Sequence, residues 1–342
     1  MTKLLEELNI ETYRQYDDGH KLLESNGKLS VYNSSVPCSS LFSWLDMLSY
    51  MKRVNKHLIQ ISPAHPFANK IAKFLDTATL KDYLFSKSVT PTVRSIFTSN
   101  MRTIFGLELS QVNALFGLMY LKSGGGTVEA ITYSDEGCAQ DKRVKGGTQQ
   151  ISQKCIDYVM SKSKTEENSA ELLFNKALIQ VNQNEKDDNA IVELIVQDTI
   201  TGEKTKYRAR KVISSIPVNQ YVNVKFTPEL PYYKRNFYKF CQVGNYIKFA
   251  VTYKTAFWRN KGLSGEGTYD GSVMWLDEKK FNEFYKDDVK RLSFNKKMPT
   301  LGAVAEVFDG MNEENQPALL GFVAAKAAVE WADQSKLLLF FE

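Results

Sequence analysis

Apolar residues recur at three- and four-residue spacing through much of the first 125 positions, the period of an amphipathic helix. Leu41 to Val54 and Phe67 to Leu75 carry this spacing, and Leu80 to Phe85 and Val93 to Phe105 are shorter runs of the same kind. Ser110 stands where it can cap a helix over Gln111 to Leu121, which the triplet Gly124-Gly125-Gly126 ends. After Gly146-Gly147 the texture changes. Thr148 can cap a helix whose apolar face is Ile151, Cys155, Ile156 and Val159. Ala177 to Val181, Ala190 to Val196 and Lys206 to Ile216 then read as strands, separated by turn-forming residues and ended by Pro217. This predicts a small antiparallel meander. Tyr246 to Tyr253 alternates again, with Ile247, Phe249, Val251 and Tyr253 on one face and Tyr246, Lys248, Ala250 and Thr252 on the other. The pattern as a whole is α+β, with β structure inserted between helical segments.

The chain has 342 residues, enough for two domains or one large one. Its composition, 43% hydrophobic and 24% charged, excludes a disordered or fibrous protein. A net charge of +5, scattered among acidic residues, gives no nucleic-acid footprint. The four cysteines lie far apart without a CxxC pair, which argues against a zinc site and for a reducing compartment. His20, His57 and His65 are the only histidines, so a histidine-based metal site or triad is not expected. No run approaches the roughly 20 apolar residues of a membrane span, and the charged N-terminus is not a signal peptide. Neither Gly124 to Gly126 nor the group Gly262, Gly265 and Gly267 lies between a strand and a helix, as a nucleotide-binding turn must.

Lys248 is the titratable residue of interest, because it sits inside a largely apolar strand. Two readings stand: a half-buried lysine able to hold water, or an outward lysine on an edge strand. Gln140, in a charged loop, reads as exposed.

A set of ordered motifs adds to this. The run Gly137-Cys138-Ala139-Gln140 with Lys142-Arg143, Gly146-Gly147-Thr148 and a following helix resembles the flavin-dependent monoamine oxidases. So do Val212-Ile213-Ser214-Ser215-Ile216-Pro217, Phe226-Thr227-Pro228-Glu229-Leu230-Pro231 and Gly244-Asn245-Tyr246-Ile247-Lys248. Phe257-Trp258-Arg259 and Gly321-Phe322 before an Ala-rich helix continue the series, so that the similarity runs collinearly over residues 9 to 332. The resemblance implies a flavin amine oxidase fold of the FAD/NAD(P)-binding type, here incomplete. Residues 10–144 and 238–342 would form the substrate-binding domain, and 145–237 the central part of the FAD-binding domain.

By the same resemblance, Lys248 would hold a water against the flavin. Gln140, Phe322, Thr103 and Ile104 would line the substrate cavity, Tyr133 and Met274 would gate it, and Ala177 and Ser215 would lie near the adenine and pyrophosphate of FAD. The implied reaction is oxidative deamination of a primary amine by FAD and oxygen, giving aldehyde, ammonia and hydrogen peroxide. A polyamine or amino-acid oxidase, or a non-catalytic binding remnant, are the rival readings. The family's N-terminal glycine-rich FAD turn, its C-terminal cysteine attachment and its anchor helix have no counterpart here. This chain alone is therefore expected to lack flavin and activity, and to be poorly stable. For the complete protein the resemblance implies a homodimer and the cytosolic face of the mitochondrial outer membrane where an anchor exists, otherwise the cytoplasm.

Overall fold

A computed structural model describes residues 2–33, 40–86, 90–163, 169–183, 191–271 and 304–332. The chain opens with helix α1 (Thr2–Glu7) and strand β1 (Thr12–Arg14), then the hairpin of β2 (His20–Ser25) and β3 (Lys28–Tyr32). Asn26 and Gly27 turn this hairpin with positive φ of 52° and 77°, the conformation that a tight two-residue β-turn demands. Six helices follow: α2 (Leu41–Gln60), α3 (Ala72–Thr77), α4 (Leu80–Phe85), α5 (Pro91–Phe105), α6 (Ala114–Ser123) and α7 (Val128–Thr132). Next come β4 (Lys142–Val144), α8 (Gln149–Lys162), β5 (Lys176–Asn182), β6 (Val192–Asp198), β7 (Lys204–Ala209), β8 (Lys225–Thr227) and α9 (Tyr232–Phe240). The last described elements are β9 (Tyr246–Thr252), α10 (Phe257–Asn260), β10 (Leu263–Thr268), β11 (Glu306–Asp309), β12 (Ala318–Ala324) and α11 (Ala325–Ala332). The chain divides into two compact units, one of Met1–Ile151 with Gly244–Glu342 and one of Ser152–Val243.

The larger unit holds a six-stranded mixed sheet in the order β3-β2-β10-β11-β12-β9, with β2 and β10 parallel and the other pairs antiparallel. The helical layer is built on α2. Its buried residues Met47, Tyr50, Met51, Val54 and Leu58 fall three to four apart, one stripe along the helix. Ser40 caps its start by accepting the Ser43 N–H at 3.2 Å. That stripe meets Val93, Ile96, Phe97 and Met101 of α5 and Leu115, Leu118 and Leu121 of α6 in one core with Leu23 of β2. Fully burying a side chain of this size contributes about 1.5–3 kcal/mol, so this cluster is the main support of the unit.

The helix expected from Ser110 begins later. Leu109–Gln111 forms one 3-10 turn closed by a reciprocal Glu108–Gln111 box, and Asn113 caps α6 by accepting the Phe116 N–H at 3.0 Å. Val112 stays extended because its carbonyl accepts the Leu80 N–H at 2.7 Å, which ties this turn to α4.

Strand β9 alternates as its sequence predicts, with Ile247, Phe249 and Val251 half-buried and Tyr246, Lys248, Ala250 and Thr252 exposed. On the covered side, Ile247, Phe249 and Val323 pack against Ala328 and Trp331 of α11. Gly321 faces Phe249 across the ladder, and the ring lies where a side chain at 321 would stand. The start of β9 is docked on the end of α5: Gly106 ends that helix at φ 63°, and its carbonyl accepts the Asn245 N–H at 2.8 Å. A Cβ on Gly244 would collide with the Phe105 carbonyl, so this close approach of backbones requires glycine.

The smaller unit contains the predicted antiparallel meander β5-β6-β7, and β8 adds parallel to β5 to give the order β7-β6-β5-β8. The third strand stops at Ala209 rather than Ile216; beyond it Arg210-Lys211 are exposed, no strand partner exists among the described residues, and Ile213 is 98% exposed. Helix α8, expected to bury an apolar face, has no buried residue.

Candidate functional site

The side chains that alternate onto the uncovered face of β9 continue across the sheet. Lys248 pairs with Phe322, Phe322 with Glu306, and Glu306 with Thr268, so the four share one face on β9, β12, β11 and β10. Lys248 is exposed on the edge strand, which is the outward reading of this lysine; its Nζ lies 5.5 Å from the centre of the Phe322 ring, within cation–π range. Phe322 in turn meets Phe308 edge-on, the ring centres 6.2 Å apart.

Where α5 crosses this face a cavity of about 450 Å³ opens, of the size that holds small ligands. Thr103 and Ile104 from α5, Gln140, Tyr120, Glu306 and Phe308 are among its lining residues. A smaller hollow of about 40 Å³ adjoins it, because Asn100, Thr132, Glu306 and Phe308 line both. Tyr133, Lys21 and Glu266 belong to this second hollow.

The electrostatics are set by two carboxyls. Glu266 forms an ion pair with Lys21, Nζ to Oε2 2.8 Å, yet burial still raises its pKa. Glu306 is pushed up to about 8, first by burial and then by Glu266, with the Thr103 hydroxyl acting the other way. Among the described residues no lysine or arginine pairs with it. Asn100 Oδ1 is buried and meets no hydrogen-bond partner among the described residues. Such an atom costs about 1–3 kcal/mol unless something donates to it.

Thr103, Ile104 and Gln140 therefore meet in one cavity, Tyr133 lies in the adjoining hollow, and Phe322 and Lys248 follow along the same sheet face. Ala177 is half-buried in β5 of the smaller unit, and Ser215 is exposed after β7 in that same unit. Met274 lies outside the described residues. Glu306, Glu266, Asn100 and Lys21 have no place among the residues singled out from sequence. The one available signal is a single glutamate inside the apolar run Ala303-Val304-Ala305-Glu306-Val307-Phe308, where a charge must be buried or paired.

Among the described residues no group of three His, Cys, Asp or Glu side chains could hold a metal, and no helix is long and apolar enough to cross a membrane.

The family described as flavin containing amine oxidoreductase matches residues 1–339. The chain is 23% identical over 341 residues to a probable flavin-containing monoamine oxidase A of Dictyostelium discoideum, covering 98% of this chain and 63% of that protein. It is 26% identical over 270 residues to the human flavin-containing amine oxidase B, covering 79% of this chain and 48% of the relative. In three dimensions it resembles a putrescine oxidase bound to putrescine, with a TM-score of 0.76 at 22% identity, 98% of this chain covering 64% of that one. A cyclohexylamine oxidase from Brevibacterium oxydans gives a TM-score of 0.74 at 18% identity, again over 98% of this chain and 64% of that one. The chain thus spans about half to two thirds of the length of the proteins it matches.

Proposed function

The chain belongs to the flavin-containing amine oxidoreductase family, and on that premise we propose that it forms the amine-handling part of a flavin-dependent amine oxidase. The observation that carries this reading is the convergence of Thr103, Ile104 and Gln140 on one cavity whose sheet face leads through Phe322 to Lys248. The overall reaction is R–CH2–NH3+ with O2 and H2O going to R–CHO, NH4+ and H2O2. FAD, when bound, supplies the removal of two electrons and a proton equivalent from the amine carbon and their passage to oxygen.

The residues present fit such a group. Lys248 offers a cation on a strand face that no described element covers, and the opposite face is sealed by α11. In the smaller unit, Ala177 leaves room by its small side chain and Ser215 offers an exposed hydroxyl, and we assign both to the adenosine diphosphate half of FAD.

The protein's own contributions are binding and orientation. Ile104, Phe308 and Phe322 exclude water from the carbon chain of the amine, which keeps an imine product from hydrolysing before release. Gln140 presents an amide to the amine end, and Tyr133 borders the approach. Lys248 positions water and positive charge where negative charge develops during oxygen reduction. An amino-acid substrate is disfavoured, because among the described residues no cation lines the cavity, and Lys21 of the adjoining hollow is already paired with Glu266. Likeness to anchored members of the family supports the mitochondrial outer membrane as location where an anchor segment accompanies this part, and the cytoplasm otherwise; cell fractionation separates the two.

The test is oxygen consumption and peroxide formation by the purified natural protein with benzylamine, for wild type and Lys248→Met. Wild type should form peroxide and aldehyde in equal amounts. The variant keeps the stem's volume and should fold and bind FAD, while its oxygen-dependent step slows by about 10²–10³, the loss typical of one electrostatic contact to developing charge. Absence of peroxide with every primary amine tried would leave a binding protein as the reading. An unchanged oxygen reaction in the variant would return Lys248 to a solvent-facing strand lysine.

A further inference from the structure

We propose that the outward face of α2 docks on an anionic lipid surface, with its first two turns among the acyl chains and its lysines at the headgroups. This goes beyond the oxidase reading and depends neither on flavin nor on an amine.

Pattern is the first argument. Leu41, Leu45, Leu48, Lys52 and Lys56 follow one another at three- and four-residue steps, so they form one stripe along the helix. It runs opposite the buried stripe of Met47, Tyr50, Met51, Val54 and Leu58. All five are exposed, and Phe42 and Trp44 flank the first turn; the apolar members are between 38% and 81% exposed. A soluble monomer seldom leaves such a contiguous apolar surface in water unless an interaction takes it up.

Charge is the second and independent argument. Helix α2 carries Lys52, Arg53 and Lys56 against one carboxylate, Asp46. Asp46 is turned to the start of α5, where it accepts the Thr90 N–H. Arg53 is engaged within the fold, donating to the Leu84 carbonyl at 3.0 Å and lying 5.0 Å from the centre of the Tyr50 ring. The two exposed lysines have no carboxylate paired with them among the described residues, and they stand directly behind the apolar turns. Basic side chains in that position are attracted to the negative headgroups of an anionic leaflet.

Geometry supplies the third argument. Leu41 to Leu48 span about 10 Å at the helical rise of roughly 1.5 Å per residue. An interfacial helix buries its apolar side by about 5–10 Å. Entering by its N-terminal end, α2 seats its apolar turns at that depth. Trp44 suits the boundary, with an apolar ring and one N–H. The stems of Lys52 and Lys56 then reach back to the phosphates. The surface is a convex ridge, since Met47 and Met51 line the smaller hollow from the other side of the helix. A protein partner would need a groove shaped to this ridge, whereas lipid conforms to it. The contact needs no spanning helix, and among the described residues none is present.

The experiment follows Trp44 in the natural protein with vesicles of phosphatidylcholine, alone or with phosphatidylserine, whose acyl chains carry bromine. Bromine quenches an indole that enters the acyl region. The quenching that disappears in Trp44→Phe belongs to α2, whatever else of the protein touches the vesicle. It should be present with phosphatidylserine and largely absent with phosphatidylcholine alone. Lys52→Gln with Lys56→Gln should lower the ratio of docked to undocked helix, read from the quenched fraction, by about twenty- to thirtyfold, roughly fivefold for each lysine. Phe42→Ser with Leu45→Ser, at exposed positions and with folding verified by a thermal melt, should abolish the Trp44 signal. No Trp44-dependent quenching, or equal quenching on the two kinds of vesicle, overturns the proposal. A dimer in sedimentation that Phe42→Ser with Leu45→Ser dissolves, without vesicle contact, overturns it too and makes a second copy the occupant.

Discussion

Glu306 is the residue whose ionisation has the largest reach. Its ordinary value of 4.5 in the unfolded chain rises to about 8 in the fold, because burial and the neighbouring Glu266 both oppose its negative charge. An acid raised in this way holds its proton in the folded state while the unfolded chain has already released it. Stability is therefore full below about pH 4.5 and falls as pH rises towards 8, at up to about 1.4 kcal/mol per pH unit. Glu266 moves in the same direction, so part of the slope belongs to it. Glu306→Gln should flatten the decline between pH 5 and 8 and raise the melting temperature at pH 8, in the absence of amine. Parallel pH profiles for variant and wild type would refute the buried acid. Sequence reading placed Lys248 on one face with Tyr246, Ala250 and Thr252 because strict alternation writes sidedness into the residues themselves, while which face is exposed depends on α11 and only the fold decides it. It missed Glu306 because the strand that turns this glutamate inward, Glu306–Asp309, is only four residues long, too short for periodicity to declare.

At the scale of elements, the site depends on how β11 is held. Asp309 at its end is buried and accepts from Trp258 Nε1 at 2.8 Å, from Arg259 Nε at 2.7 Å and from the Met311 N–H at 2.9 Å. Arg259 also lies 3.6 Å from the centre of the Tyr16 ring, and the Asp309 carbonyl accepts from Gln15 Nε2 at 2.9 Å. The Asp309 carboxylate thus joins α10 to β11, and its backbone carbonyl ties in the segment after β1. Asp309→Ala leaves the guanidinium and the indole N–H without their buried acceptor and should cost about 3–5 kcal/mol, seen as a lower denaturant midpoint. Asp309→Asn keeps the shape and one acceptor oxygen, so it should lose less; equal losses would show that the negative charge, rather than shape or a neutral acceptor, carries the whole contribution. The Phe257-Trp258-Arg259 motif was legible in the sequence as part of a resemblance, yet its partner was not, because fifty residues separate Arg259 from Asp309 and only the fold brings them together. Helices α2 and α5 were legible for the opposite reason: they satisfy their own hydrogen bonds and show one apolar stripe. The hairpin of β2 and β3 carried its signal in Asn26-Gly27, but its flanks, His20–Ser25 and Lys28–Tyr32, lack the alternation that would have declared them strands.

Across the whole molecule, burial is distributed unevenly between the two units. The larger unit has fully buried Val54, Leu58, Leu75, Leu80, Val93 and Leu118 within one cluster. In the smaller unit, among the described residues, only Val192 and Val224 are buried hydrophobics, and the apolar residues of β5 and β6 are otherwise half-exposed. Composition could not reveal this, since both segments contain strand-forming apolar residues and the difference lies in what covers them. Few buried contacts mean a low free energy of local opening, because little apolar surface is newly wetted when the ladder separates. The amides of β5, β6 and β7 should therefore exchange with solvent before those of α2, α5 and α6 in a hydrogen-exchange experiment followed by mass spectrometry. Among the described residues, the tryptophans, at positions 44, 258 and 331, belong to the larger unit, so their fluorescence reports that unit. In a denaturant series the meander amides should lose protection at concentrations where tryptophan emission is still native. Coincident loss of both signals would mean that the chain unfolds as one cooperative body, and that the thin core of the smaller unit is supported by contacts stronger than its own burial supplies.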